Sequence, residues 1–223
     1  MSAVPDALVP RKALSPVEFI ALMAMLFSTV AFSVDAMLPA LPQIAAEVTP
    51  DDPNRAQLVV TSFILGMGLG TLVTGPLSDT LGRKRVILGF AGIYIAGALL
   101  AASAQSLELM IAGRIVQGFG AAGPRVVALA IIRDLHSGRR MARIMSFMLV
   151  IFALVPAIAP LVGAGIMALT GWRGIFLAFV LFCLAGAAWL ALRQAETLAP
   201  GNRRPFRPGA LALGVREIVA NRM

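Results

Sequence analysis

Residues 75–85 read Gly-Pro-Leu-Ser-Asp-Thr-Leu-Gly-Arg-Lys-Arg, and this short polar run lies between two long apolar stretches. It combines small residues suited to a tight turn with one acid, Asp79, and three consecutive bases. The flanking segments 57–77 and 86–104 are each long enough to cross the ~30 Å apolar core of a bilayer at ~1.5 Å per residue. The run is therefore predicted to be a loop that joins two transmembrane helices at one membrane surface.

The composition of the 223-residue chain indicates an integral membrane protein. Hydrophobic residues make up 59% of it and charged residues 13%, whereas a soluble domain has about 45–50% apolar and about 25% charged residues. The segments apolar enough to span a membrane are 17–39, 57–77, 86–104, 107–132, 141–169 and 175–192. We therefore expect an all-α bundle of six transmembrane helices over residues 17–192, preceded by a cytoplasmic segment 1–16 and followed by a basic cytoplasmic tail 193–223.

Basic residues alternate between the predicted loops in a way that sets the topology. Fifteen of the 19 lysines and arginines lie in the two terminal segments or in the loops after spans two and four. The opposite side has only Arg55 and Arg173. Cytoplasmic loops carry an excess of Lys and Arg, so both termini are predicted to be cytoplasmic, in a multi-pass protein of the inner (plasma) membrane. The net charge of +8 reports this topology, and no nucleic-acid partner is expected.

The run at 75–85 resembles the signature G-x-L-(A/S)-D-x-x-G-R-(K/R) between the second and third helices of the major facilitator superfamily. The matching residues are Gly75, Leu77, Ser78, Asp79, Gly82, Arg83 and Lys84. The resemblance implies that the chain folds as one half of the major facilitator fold. It also implies a conformational role for this motif, in which Asp79 contacts a helix of the second half.

A second element that resembles this family lies in span four, where residues 114–124 follow the pattern R-x-x-Q-G-x-G-x-A through Arg114, Gln117 and Gly118. An arginine inside an apolar helix costs at least ~2.5 kcal/mol, so its side chain is expected to face a cavity or a partner. Two interpretations stay open. Arg114 modulates a nearby proton site, or it caps backbone carbonyls or pairs with an acid for structural reasons. Gly118 is expected to permit close helix packing.

Asp35 is the only acid well inside an apolar span. In the predicted topology it lies ~6 Å below the outer face and Arg114 lies ~10 Å below the same face, so an interaction between them is geometrically allowed. Residues 33–42 also resemble the first helix of drug:proton antiporters, which implies that Asp35 carries the coupled proton and that Arg114 tunes it. An interface residue that snorkels or caps remains the alternative. We expect the charge of Arg114 to matter more than the fork shape of its guanidinium.

Prolines and glycines in span five indicate a kinked helix that allows a close neighbour, because proline removes a backbone hydrogen bond. The residues concerned are Pro156, Pro160 and Gly163. The stretch resembles the antiporter motif G-x-x-x-G-P-x-x-G-G, although Ala159 and Ala164 stand where the motif has glycines. It is interpreted either as an export signature or as a purely structural kink.

Residues 123–134 resemble the bicyclomycin- and chloramphenicol-type branch of the superfamily. Together with the other motifs, they imply proton-coupled efflux of small amphiphilic compounds, with the substrate bound between two helical bundles. The expected partners are the lipid bilayer, protons and a small-molecule substrate. No enzymatic activity, cofactor or metal is expected, because the sequence has no G-x-x-x-x-G-K-(S/T) nucleotide loop and no cluster of cysteines and histidines.

Transporters of this family have two six-helix halves joined by a basic cytoplasmic linker, whereas this sequence shows six spans. Residues 210–220 are expected to form a short amphipathic helix rather than a seventh span. The chain is thus expected to be the amino-terminal half of a transporter. Three interpretations remain open: a truncated fragment that transports nothing, a half that needs a second six-helix half, and a homodimer.

Overall fold

Each long apolar stretch of the sequence forms helix in the computed structural model, which describes residues 14–203. The helices are α1 (Pro16–Asp35), α2 (Leu41–Val48), α3 (Leu58–Leu81), α4 (Arg83–Ala102), α5 (Leu107–Leu135) and α6 (Gly138–Arg193). Short 3₁₀ turns lie at Leu38–Ala40, Pro53–Gln57 and Pro200–Asn202. Residues 14–203 contain no strand, so the all-α class is confirmed. The predicted helix at 210–220 lies outside the described residues.

α6 provides two transmembrane segments. As one straight helix its 56 residues would reach ~84 Å, far beyond the ~30 Å apolar core. Helical geometry is interrupted at Gly171, where φ is 72° and ψ is −178°, a left-handed φ that favours glycine. We call the segments 138–170 and 172–193 α6a and α6b. The chain reverses direction between them, because the start of α6a and the end of α6b line the same cavity. Within residues 14–203, five long apolar helices therefore supply the six predicted spans.

The predicted loop at 75–85 is almost entirely helical. α3 continues through Asp79 to Leu81 and α4 begins at Arg83, so only Gly82, with φ 103°, lies between them. The predicted limits of these spans, residues 77 and 86, were wrong as helix boundaries because they mark where apolar residues stop. Water at the bilayer surface solvates polar side chains, so a helix continues past the apolar core without further apolar residues.

The packed helices bury one apolar cluster toward each end of the bundle. α5 packs mainly against α3 and α4, and α6 packs against α1 and α4. The close packing expected at Gly118 is present, because a Cβ there would overlap the carbonyl oxygen of Phe63 on α3. Large apolar side chains such as Leu161 and Leu169 remain 74% and 87% exposed on the outside of the bundle, as lipid-facing residues do.

Candidate functional site

Arg114 is fully buried between three helices and is held without a carboxylate. Its Nε donates to the carbonyl of Val59 on α3 (2.9 Å), and its Nη2 donates to the carbonyl of Ser33 on α1 (3.2 Å). Its Nη1 donates to Oε1 of Gln117 one turn along α5 (2.8 Å). The guanidinium carbon also lies 4.3 Å from the ring centroid of Phe63. A cation in this apolar interior is therefore stabilised by carbonyl dipoles and an aromatic face.

Asp35 is the last residue of α1 and is half-buried. Within residues 14–203 it forms no salt bridge, and none of the hydrogen bonds of Arg114 goes to its carboxyl group. Arg114 reaches α1 two residues earlier, at the Ser33 carbonyl. The ion pair that the sequence allowed is thus not formed in this conformation, although both side chains lie against the same end of α1.

A buried hydroxyl pair extends the site from Arg114 toward α4. Ser33 Oγ donates to the carbonyl of Thr29 (2.6 Å) and lies 2.5 Å from the hydroxyl of Tyr94 on α4, so Tyr94 is the donor in the second bond. Nearby, Nε2 of Gln117 is buried and has no hydrogen-bond partner among the described residues. Sequence analysis missed Tyr94. The sequence did contain a feature that could have identified it. Tyr94 is the one tyrosine of the chain and lies in an apolar span, where a hydroxyl group needs a hydrogen-bond partner.

The motif residues around Gly82 form a charge cluster that joins α3, α4 and α5. Arg83 is 8% exposed. Its Nε donates to Asp134 Oδ2 (2.9 Å), and its Nη1 donates to Asp79 Oδ1 (2.5 Å) and Ser78 Oγ (2.7 Å). A cavity of about 350 Å³ adjoins the cluster and is lined in part by Gly75. The side chain of Asp79 is 43% exposed, twice the 21% of Asp134, so Asp79 is the acid with room for another partner.

The chain after α6 closes over this cluster. The carboxylate of Glu196 accepts hydrogen bonds from the backbone N–H groups of Arg83 (2.9 Å) and Lys84 (3.2 Å), and thereby caps the start of α4. Lys84 Nζ donates to the carbonyls of Ala191 (2.7 Å) and Gln194 (3.0 Å), which caps the end of α6b. The predicted tail therefore begins as part of the packed structure, and sequence analysis did not identify Glu196 as a member of the site.

The antiporter-like residues of α6a lie against α1. Pro156 and Pro160 are inside the helix, which continues past both to Gly171. A Cβ at Gly163 would overlap the carbonyl oxygen of Ala36, the residue after Asp35. The predicted close approach is therefore made beside Asp35, and the motifs of spans one, four and five converge at this end of α1. Within residues 14–203 there is no group of three His, Cys, Asp or Glu side chains suited to a metal ion.

Comparison with protein families gives a match to the Major Facilitator Superfamily over residues 20–222. The chain is 35% identical to a bicyclomycin resistance protein homolog of Haemophilus influenzae over 181 residues, which are 81% of this chain and 45% of that protein. It is 34% identical to a chloramphenicol resistance protein of Pseudomonas aeruginosa over 179 residues, 79% of this chain and 40% of that protein. The chain thus spans less than half the length of these curated relatives.

Solved structures show the same fold at low sequence identity. The proton:xylose symporter XylE aligns with a TM-score of 0.70 and 15% identity, over 91% of this chain and 52% of that one. The human organic anion transporter MFSD10 aligns with a TM-score of 0.65 and 20% identity, over 86% of this chain and 50% of that one. The expected six-helix half of the fold is confirmed by these alignments.

Proposed function

Because the chain belongs to the major facilitator superfamily, we propose that it is the amino-terminal half of a proton-coupled exporter of small amphiphilic compounds. Resistance to bicyclomycin and to chloramphenicol in the names of two relatives supports a drug-like substrate. Transport by this fold requires two bundles that rock about a central site, so this chain acts with a second six-helix half or with a second copy. It lies in the inner membrane with both termini in the cytoplasm, as its basic loops favour.

The observation that carries the proposal is the convergence of three motifs at the end of α1. Asp35 carries the carboxyl group there, and it is half-buried, so it is within reach of water. Arg114 is anchored to the same helix end through Ser33. A carboxylate keeps its charge near water or a cation and takes up a proton when it is moved away from both. A shift of α1 relative to Arg114, driven by substrate that binds between the two bundles, would therefore exchange a proton for substrate.

Efflux measurements in inverted membrane vesicles test this role. The chain is co-expressed with a second six-helix half, and radiolabelled chloramphenicol uptake is followed with and without a proton gradient. Asp35→Asn should abolish gradient-driven uptake and leave binding of chloramphenicol intact. Asp51→Asn removes an exposed carboxylate in the outer loop and is the matched control, with unchanged uptake. Gradient-driven uptake by Asp35→Asn at the wild-type rate would exclude Asp35 as the proton carrier.

The same vesicles distinguish the alternative, a membrane fragment without transport activity. A transporting half should take up chloramphenicol in the presence of the second half, or alone if two copies pair. A fragment should give no gradient-driven uptake in either arrangement, although it is inserted and folded.

A further inference from the structure

A groove of about 950 Å³ opens at the end of the bundle that carries Gly82, away from the Arg114 site. It lies between the start of α1, the start of α6a and the end of α6b. Its walls are of two kinds. Phe19, Ile20 and Phe147 provide apolar surface, and Arg139, Arg140 and Arg143 provide positive charge. Among the residues that the structure describes, no Asp or Glu lines it.

The charge of this groove is not neutralised within residues 14–203. Arg139, Arg140 and Arg143 are exposed and form no salt bridge to any described carboxylate. A fourth arginine at the rim, Arg193, is different, because it forms a double hydrogen bond to Glu18 at 2.7 and 2.9 Å. Burial, together with the nearby charge of Arg140, lowers the pKa of His136 at the edge of the groove, as expected in a positive environment.

The groove also borders the lipid-facing surface. Phe147 is 54% exposed, and Val17 and Val150 beside these walls are 77% and 61% exposed. Side chains of this kind are in contact with acyl chains in a membrane protein. The arginines therefore lie where the apolar belt ends, at the depth of lipid headgroups.

The positive charge of the groove favours an anionic ligand. The chain's own segments outside the described residues are unsuited, because 1–13 carries Arg11 and Lys12 against Asp6, and 204–223 carries four arginines against Glu217. A ligand with an anionic head and an apolar body complements both walls. We propose that the groove binds an anionic phospholipid of the surrounding leaflet, with its phosphate on Arg139, Arg140 and Arg143 and one acyl chain along Ile20 and Phe147. This site does not depend on what the protein transports.

Lipid titration of the full chain in detergent, followed by native mass spectrometry, tests the proposal. The probes are dioleoyl phosphatidylglycerol, dioleoyl phosphatidylcholine and the soluble headgroup analogue glycerol 3-phosphate. Wild type should bind phosphatidylglycerol at least ten-fold more tightly than phosphatidylcholine. Each arginine near a membrane surface contributes about five-fold in affinity, so Arg140→Gln with Arg143→Gln should weaken phosphatidylglycerol about 25-fold.

Arg85→Gln with Arg133→Gln is the matched control, because both are exposed arginines of the same end of the bundle and neither lines the groove. This pair should change phosphatidylglycerol affinity less than three-fold. Phe147→Ser should weaken phosphatidylglycerol and leave glycerol 3-phosphate unchanged. Equal losses in the two arginine pairs would show only general attraction to a basic surface and would overturn the site. Equal binding of the two lipids would overturn it too, as would glycerol 3-phosphate binding as tightly as phosphatidylglycerol.

A second measurement needs no substitution. His136 is the only histidine of the chain, so its ring ¹⁵N signals are unambiguous. A phosphate bound beside Arg140 should raise the pKa of His136 when phosphatidylglycerol is added, and phosphatidylcholine should leave it unchanged. No difference between the two lipids would contradict the proposed position of the phosphate.

Discussion

The fork of the Arg114 guanidinium, and not its charge alone, fits the surroundings in the structure. Three different nitrogens reach α1, α3 and Gln117. The ammonium of lysine is a single point with three donors and does not span these acceptors. The expectation from the sequence, that charge outweighs shape, therefore changes once the acceptors are known.

We expect Arg114→Lys to lose most of the stability and efflux that Arg114→Ala loses. Each hydrogen bond from a charged group is worth about 1.5–3 kcal/mol, and the carbonyls of Val59 and Ser33 each lose the donor that Arg114 provides. The control is Arg125→Lys on the same helix, because Arg125 makes only weak contacts within residues 14–203. Its Nη1 lies 3.4 Å from the sulfur of Met67, and its guanidinium carbon lies 5.5 Å from the ring centroid of Phe27. Thermal unfolding in detergent compares the stability of Arg114→Lys and Arg125→Lys with that of wild type. A melting temperature of Arg114→Lys equal to wild type would show that charge alone is sufficient.

His136 gives a prediction for pH. Burial and the charge of Arg140 hold its pKa below the usual 6.5. The folded protein thus binds this proton less readily than the unfolded chain. The stability contribution of neutral His136 is complete above the unfolded pKa and is lost as the pH falls below about 6.5 toward the folded pKa. Between pH 7 and 5.5, wild type should lose more melting temperature than His136→Gln. An identical loss in both would assign the pH dependence to other groups.

At the scale of single residues, the sequence was informative where polarity conflicts with surroundings. Arg114 and Asp35 were found because charge is costly in an apolar span. Glu196 was not found, because it follows the last span among other polar residues and its partner Arg83 lies 113 positions away. Only the folded chain brings that carboxylate to the start of α4.

At the scale of helices, close contacts through glycine determine how α1 and α6a meet. A methyl group at Gly163 would overlap the Ala36 carbonyl, whereas one at Gly165 would meet nothing within 4 Å. We expect Gly163→Ala to destabilise the fold by about 1–3 kcal/mol through overpacking. Gly165→Ala should be neutral or slightly stabilising, because alanine favours helix by up to about 1 kcal/mol. Thermal unfolding of the two variants compares them directly, and equal effects would contradict this helix contact.

Helix number was predictable and helix length was not. Hydropathy located six apolar spans because the bilayer requires about 20 apolar residues for each crossing. It does not report where a helix ends in water. The turn at Gly82 and the break at Gly171 are therefore single residues, where the polarity pattern suggested loops of several residues.

At the scale of the whole molecule, the two polar sites occupy different depths. The Arg114 site lies in the apolar cluster that includes Phe63 and Tyr94. The Arg83 cluster lies at the other end, where Glu196 brings the chain after α6b back onto α4. In the proposed transporter, the first site exchanges protons and the second holds one conformation through the exposed side of Asp79.

The proposed orientation places the Gly82 end of this molecule in the cytoplasm, and thiol labelling tests it. Asp51→Cys and Gln105→Cys introduce exposed thiols in the turns between α2 and α3 and between α4 and α5. Ser137→Cys and Gly201→Cys do so at the opposite end, and the native Cys183 is buried and 4% exposed. In intact cells an impermeant maleimide should label the first pair and not the second, and permeabilised cells should label all four. This expectation follows because basic loops are retained on the cytoplasmic side during insertion. Labelling of Ser137→Cys or Gly201→Cys from outside would show that the orientation is the reverse of the proposed one. The lipid groove would then face the outer leaflet.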